Sequence, residues 1–211
     1  LGVDGLEIEK KLVQVCRQFG MRMLGPNCIG FMDTYAPVNA TFMPGLPARG
    51  KIALISQSGA ILAAILDWSL ASGVGFSKVV SLGNKADLNE SDFIAEAADD
   101  PNTEVIICYI EDVSDGERFL AAAAGAVAKK PVIILKSGTS QAGAQAASSH
   151  TGALAGSDLA YETAFRQCGV IRARGMKELF DLAVAFAGQP VPVGDRIAIV
   201  TNSGGPGILA T

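Results

Sequence analysis

The stretch KIALISQSGAILAA, Lys51 to Ala64, decides the fold. After one basic residue, Ile52, Ala53, Leu54 and Ile55 form an apolar run without the polar alternation of a half-wet strand. Such a run reads as a strand buried on both faces. Ser56, Gln57, Ser58 and Gly59 then make a tight polar turn, and Ala60 to Ala71 is a helix rich in alanine and leucine. A buried strand turning directly into a helix is the opening unit of a parallel α/β sheet.

The same alternation continues downstream. Val79 to Leu82 reads as a strand, GNKADLN (83–89) as a loop, and Glu90 to Asp99 as a helix with Asn89 or Ser91 as N-cap. Val105 to Tyr109 is the next strand, EDVSDG (111–116) a loop, and Glu117 to Ala128 a helix. Pro131 opens the strand PVIILK, followed by the long polar loop SGTSQAGAQAASSHTGALAG (137–156). A helix over Ser157–Cys168, a short edge strand at Val170–Ile171 and a helix over Met176–Ala187 complete the pattern. These elements predict an α/β fold, a flavodoxin-like doubly wound parallel sheet covering residues 51–188. Right-handed crossovers put every strand-to-helix loop at one edge, where such sheets bind ligands.

Upstream, Ile8, Leu12, Val15 and Phe19 recur at helical spacing, with Gly20 as C-cap, and Met21 to Leu24 reads as a short strand before the turn GPNCIG. Prolines 37, 44 and 47 with Gly45 mark a connection, so residues 1–41 are expected to be the end of another domain and 42–50 a linker. After the linker QPVPVGD (189–195), RIAIVTNSGGPGILAT repeats the design of KIALISQSGAILAA, so residues 196–211 read as the start of a second flavodoxin-like domain. Both ends therefore look cut, and the chain reads as part of a longer polypeptide.

Composition narrows the class. A 49% hydrophobic chain with 24 glycines and 6% aromatics matches a core of small aliphatic side chains and argues against disorder. A net charge of -4 gives no nucleic-acid footprint, and no apolar run is long enough to span a membrane. Cys16, Cys28, Cys108 and Cys168 are widely spaced with no C-x-x-C pair, which fits a reducing, cytoplasmic setting without zinc.

His150 is the one histidine, in a long loop of small polar residues at the ligand edge. Its neighbours are too small to bury an imidazole, and a single histidine without companion ligands cannot complete a metal site. No G-x-S-x-G elbow supports a hydrolase triad. The turn Ser56–Gly59 would present N–H groups and hydroxyls to an anion at a helix N-terminus, although Ser and Gly are equally common there as a cap and a turn. Glu111, just past a strand end, is a suitable partner for an imidazole N–H, but spacing does not separate it from Asp112, Asp115 or Glu117. Trp68 falls within a helix pattern, as core packing rather than part of a flavin site.

In order along the chain, GPNCIG, KIALISQSGA, SLGNKAD, YIEDVSDGERF, KPVIILKSGTS and SSHTGALAG resemble the ADP-forming acetyl-CoA (acyl-CoA) synthetases and, more distantly, the α subunit of succinyl-CoA synthetase. The resemblance implies that residues up to about Thr41 end a CoA-binding Rossmann-like domain. It implies the reaction acyl-CoA + phosphate + ADP ⇌ carboxylic acid + CoA + ATP, through an acyl phosphate and a phosphorylated His150. By the same resemblance Glu111 holds His150, Ser56, Gln57, Ser58 and Gly59 with Thr151 and Gly152 bind phosphate, and Asn27, Cys28, Gly83 and Asn84 lie near the CoA thioester. It also implies an ATP-grasp domain or β subunit that binds ADP or ATP with Mg, hence a hetero- or homo-oligomer. Some relatives are CoA-sensing regulatory modules fused to lysine acetyltransferases with the histidine replaced; the presence of His150 favours the enzyme.

Overall fold

A computed structural model of the chain describes residues 2–139 and 157–211. Seven strands form one sheet in the order β2-β1-β4-β3-β5-β6-β7. Here β1 is Gly30–Asp33, β2 Val38–Thr41, β3 Arg49–Ser56, β4 Phe76–Ser81, β5 Val105–Ile110, β6 Val132–Lys136 and β7 Ile171–Ala173. The helices are α1 (Gly2–Gln18), α2 (Gly59–Ser72), α3 (Glu90–Asp99), α4 (Gly116–Val127), α5 (Asp158–Cys168), α6 (Met176–Gly188) and α7 (Gly204–Leu209).

Strands β3 to β7 pair in parallel, and the β1–β2 hairpin adds antiparallel to β4 at one edge. Alternate residues of each central strand serve opposite layers. Ala53 and Ile55 join Ile106, Cys108 and Ile134 under Ile94 of α3, Phe119 and Ala123 of α4 and Phe165 of α5. Ile52 and Leu54 join Ile107 and Ile133 under Leu62 and Ile65 of α2 and Leu179 of α6. Both faces of the sheet are thus covered, which is why KIALI and VIICYI are continuously apolar. Trp68 of α2 stacks on Phe180 of α6, ring centroids 4.2 Å apart, so it packs within the protein as its helix position implied.

Most elements fall where the periodicity puts them, and Asn89 rather than Ser91 caps α3, in a capping box with Asp92. Two segments differ. Met21 to Leu24 is not a strand: Met23 N donates to the Asp87 carboxylate at 2.9 Å and its carbonyl accepts from Leu88 N at 3.1 Å, so its backbone is hooked by a loop rather than a ladder. The strand pair appears later, as the β1–β2 hairpin, within residues 1–41 and ahead of the expected linker 42–50. The Asp33 carboxylate accepts the N–H groups of Tyr35 and Ala36, both at 2.8 Å, and this closes the turn. RIAIV, read as a strand, forms no strand, and Ile197 is 90% exposed. A strand needs a neighbour's N–H and C=O groups, and no described segment supplies them there. The turn that follows does open a helix, α7.

Candidate functional site

The sheet's winding reverses at β3, which has β4 on one side and β5 on the other. Doubly wound sheets open a crevice at the carboxyl ends of the strands flanking such a reversal. Two predicted site segments meet there. Ser56 ends β3 opposite Tyr109 of β5, so the turn Gln57–Gly59 and the residues Glu111 and Asp112 emerge side by side.

One side chain ties them together. Gln57 Oε1 accepts the backbone N–H of Glu111 at 2.9 Å and of Asp112 at 3.1 Å, while its Nε2 donates to the Asp112 carboxylate. Its own N–H donates to Tyr109 O at 3.0 Å. Ser56 is fully buried, and its hydroxyl donates to Ser58 O at 2.7 Å. Ser58 is the N-cap of α2, its hydroxyl accepting from Ile61 N. Ser56 and Gln57 are therefore occupied in shaping the turn. Among the described residues, no hydrogen bond uses the N–H groups of Ser58, Gly59 or Ala60, which point out of a 14-residue helix in the manner of an anion cradle.

A buried charge cluster lies beside this turn. Lys85 Nζ is 3.1 Å from Glu90 Oε2 and 3.2 Å from Asp112 Oδ1, and it donates to Asp112 O at 2.8 Å. The Lys85 and Glu90 side chains are only 2% and 1% exposed. Among the described residues neither Glu90 oxygen makes a well-directed hydrogen bond, and Lys85 and the α3 N-terminus offset its burial. Lys85 was not singled out from the sequence. Its backbone adopts φ +57°, a left-handed conformation that side-chain-bearing residues seldom take, and no sequence pattern announces that.

The predicted thioester-side residues also converge. Asn84 N donates to Pro26 O at 2.9 Å, and Asn27 Nδ2 donates to Asn84 Oδ1 at 3.2 Å. Gly83 has φ +60°, and a Cβ there would sit 2.2 Å from Pro26 O, so the GNK loop and the GPN turn touch at a point only glycine allows. Burial pushes the Cys28 thiol up, against weaker downward pulls from backbone contacts, and thus away from the thiolate a nucleophile needs. Asp87, at the other end of the loop, accepts from Arg22 Nε at 2.9 Å and Arg17 Nη2 at 3.4 Å, locking the segment after α1 to the site.

Lys136 ends β6 at the same edge, almost fully buried, with its ammonium 4.6 Å from the centre of the Tyr161 ring. Burial pulls its pKa below the ordinary lysine value, against the opposing charges of Asp112 and Asp158. The Tyr161 hydroxyl in turn accepts Val113 N at 3.1 Å. Sequence reading passed over both residues, although a lysine closing an otherwise apolar strand at the ligand edge is a visible signal. His150, Thr151 and Gly152 lie outside the described residues. A cavity of about 580 Å³ opens at the opposite edge, between Lys51, Glu104, Lys130 and Pro190. It is remote from the switch point, and the Lys51 ammonium is taken up by Glu104 at 2.7 Å.

The acetate–CoA ligase [ADP-forming] I of Archaeoglobus fulgidus is 51% identical over 209 residues, covering 99% of this chain and 30% of that protein. The acetate–CoA ligase [ADP-forming] I subunit alpha of Pyrococcus furiosus is 48% identical over 211 residues, covering 100% of this chain and 46% of the subunit. The chain thus spans between about a third and a half of these relatives. Among solved structures, the dinucleotide forming acetyl-coenzyme A synthetase 1 of Ca. Korarchaeum cryptofilum, in complex with phosphate and ADP, superposes with a TM-score of 0.91 at 41% identity, covering 97% of this chain and 45% of that one. The succinyl-CoA ligase like flavodoxin domain matches residues 49–186, the segment that builds strands β3 to β7, and the chain belongs to that family.

Proposed function

We propose that this chain is the phosphohistidine-bearing segment of an ADP-forming acyl-CoA ligase, acting on acyl-CoA, phosphate and ADP to give carboxylic acid, CoA and ATP. What carries the reading is the meeting, at the switch point, of the α2 N-terminus with Glu111 and Asp112, through one Gln57 amide hydrogen bond to Glu111 and two to Asp112. The names of the relatives supply the reaction class.

In this reading phosphate attacks the thioester carbonyl and displaces CoA, giving an acyl phosphate. His150 then attacks its phosphorus and releases the carboxylate, and ADP later takes the phosphoryl group from His150 to give ATP. The N–H groups of Ser58 and Gly59 at the α2 N-terminus cradle the phosphoryl oxygens, with Thr151 and Gly152 beside them, while Ser56 and Gln57 shape that turn. Glu111 orients the His150 imidazole and stabilises its positive charge as the phosphorus bond forms. Asn27, Cys28, Gly83 and Asn84 form the wall facing the CoA thioester. Residues 1–41 act as the end of a CoA-binding domain and 196–211 as the start of a second ligase domain. An ATP-grasp domain or subunit carries ADP and Mg.

The test is ATP formation from acetyl-CoA, phosphate and ADP by the complete protein with its ATP-grasp part. Turnover that disappears in His150→Ala supports the proposal. CoA binding without any ATP formation would make the chain a sensing module instead.

A further inference from the structure

We propose that Lys85 is a positioning residue for the phosphoryl transfer, acting on Glu111 through Asp112 and Gln57. The inference rests on the reading of Glu111 and His150 given above. Three observations carry it. Lys85 occupies a left-handed backbone position, φ +57°, where glycine or asparagine would cost less. A lysine at such a position is there for its side chain. That side chain is buried and meets three oxygen groups on two residues: the Glu90 carboxylate at the start of α3, the Asp112 carboxylate and the Asp112 carbonyl, all within 3.2 Å of its nitrogen.

Asp112 is the residue next to Glu111, and its second attachment is the Gln57 amide. Gln57 reads a fixed pattern, two N–H groups on its oxygen and one carboxylate on its nitrogen, so its amide can point only one way. Lys85 holds the carboxylate in that pattern. The chain Lys85–Asp112–Gln57–Glu111 therefore fixes where the β5 loop leaves the sheet relative to the α2 N-terminus. Lys85 is also next to Asn84, which bonds the GPN turn, so the same residue joins the thioester wall to the phosphoryl side. The role proposed for Lys85 is thus to position Glu111, not to contact the reacting atoms.

The test is a pair of double-mutant cycles on the complete protein with its ATP-grasp part. Lys85→Met, Gln57→Met and Glu111→Gln are made singly, and Glu111→Gln is combined with each of the other two. The readout is the single-turnover rate of His150 phosphorylation from γ-labelled ATP, beside the thermal midpoint. Lys85→Met and Gln57→Met each slow phosphorylation about 10- to 100-fold, by analogy with the loss when a partner that orients a metal ligand is removed. Added to Glu111→Gln, either one costs less than about 3-fold more, because both act through a group already disabled. A residue of merely structural importance lowers the midpoint but multiplies with Glu111→Gln in full, and that result overturns the proposal. Gln57→Met keeps the Lys85–Asp112 pair, so its cycle decides if Lys85→Met does not fold. Normal labelling in Glu111→Gln also overturns the proposal while leaving the phosphohistidine intact. Wild-type protein that takes up no label overturns the functional reading itself.

Discussion

At the scale of single residues, the site is held by groups whose ordinary roles conceal what they do. Ser58 caps α2, so Ser58→Ala should destabilise the protein by about 1 kcal/mol and Ser58→Gly by only a few tenths, measured by urea unfolding. Gly83→Ala should be far more damaging to function. The added methyl would lie 2.2 Å from Pro26 O at a positive φ, so the GNK loop must withdraw from the GPN turn. Raised KM for acyl-CoA in a folded variant is the expected outcome, and unchanged kinetics would show that the contact is dispensable. The placement of Ser56–Gly59 and Glu111 at one edge was legible, because strand-to-helix turns and strand ends announce themselves in KIALISQSG and VIICYIED. The division of labour within the turn was not. That Gln57 spends its side chain on Glu111 and Asp112 depends on two loops 54 residues apart meeting in space, and that Lys85 is buried depends on a backbone angle no pattern encodes.

At the scale of elements, loops are fastened to the sheet by carboxylates. The Arg22 guanidinium, with Met23 N and Arg17, holds Asp87 down to about 2 against the upward push of burial. At Asp100 burial pushes upward most strongly, but the Lys78 ammonium, Asn102 N–H and Thr103 hydroxyl together hold it at about 2. An unfolded aspartate titrates near 3.9, so between about pH 4 and pH 2 the unfolded state binds more protons than the folded one. Stability supplied by these groups is complete above pH 4 and is lost as pH falls towards 2. Asp87→Asn and Asp100→Asn should each flatten the acid limb of a stability–pH curve, and an unaltered limb in both would refute these anchoring roles. Strand and helix boundaries were readable because each central strand is buried on both faces and helices α2, α3, α4 and α5 each carry a side-chain N-cap. Met21–Leu24 misled because a short apolar stretch has the composition of a strand whether its partner is a ladder or a loop, and RIAIV because strand-forming side chains do not supply a neighbouring strand.

At the scale of the whole molecule, one sheet separates two apolar layers whose side chains alternate along the same strands. Ile106 faces α3, α4 and α5, and Ile107 faces α2 and α6. Each is fully buried, so Ile106→Ala and Ile107→Ala should each cost about 2–5 kcal/mol. Because the layers share a backbone, both should lower one common transition, seen alike by far-UV circular dichroism and by Trp68 fluorescence. Separate transitions would mean that the layers fold independently. The doubly wound class followed from alternation alone. The edge hairpin β1–β2 did not, since four-residue strands between prolines and glycines look like connection.

The proposed function has the α2 N-terminus and Glu111 serve phosphoryl transfer at His150. The decisive measurement is to incubate the complete protein and its ATP-grasp part with γ-labelled ATP and Mg²⁺, then assay the chain for acid-labile, base-stable label beside His150→Ala. Label in the wild type that is absent from His150→Ala is the expected result; an unlabelled wild-type chain that folds and binds CoA would contradict it.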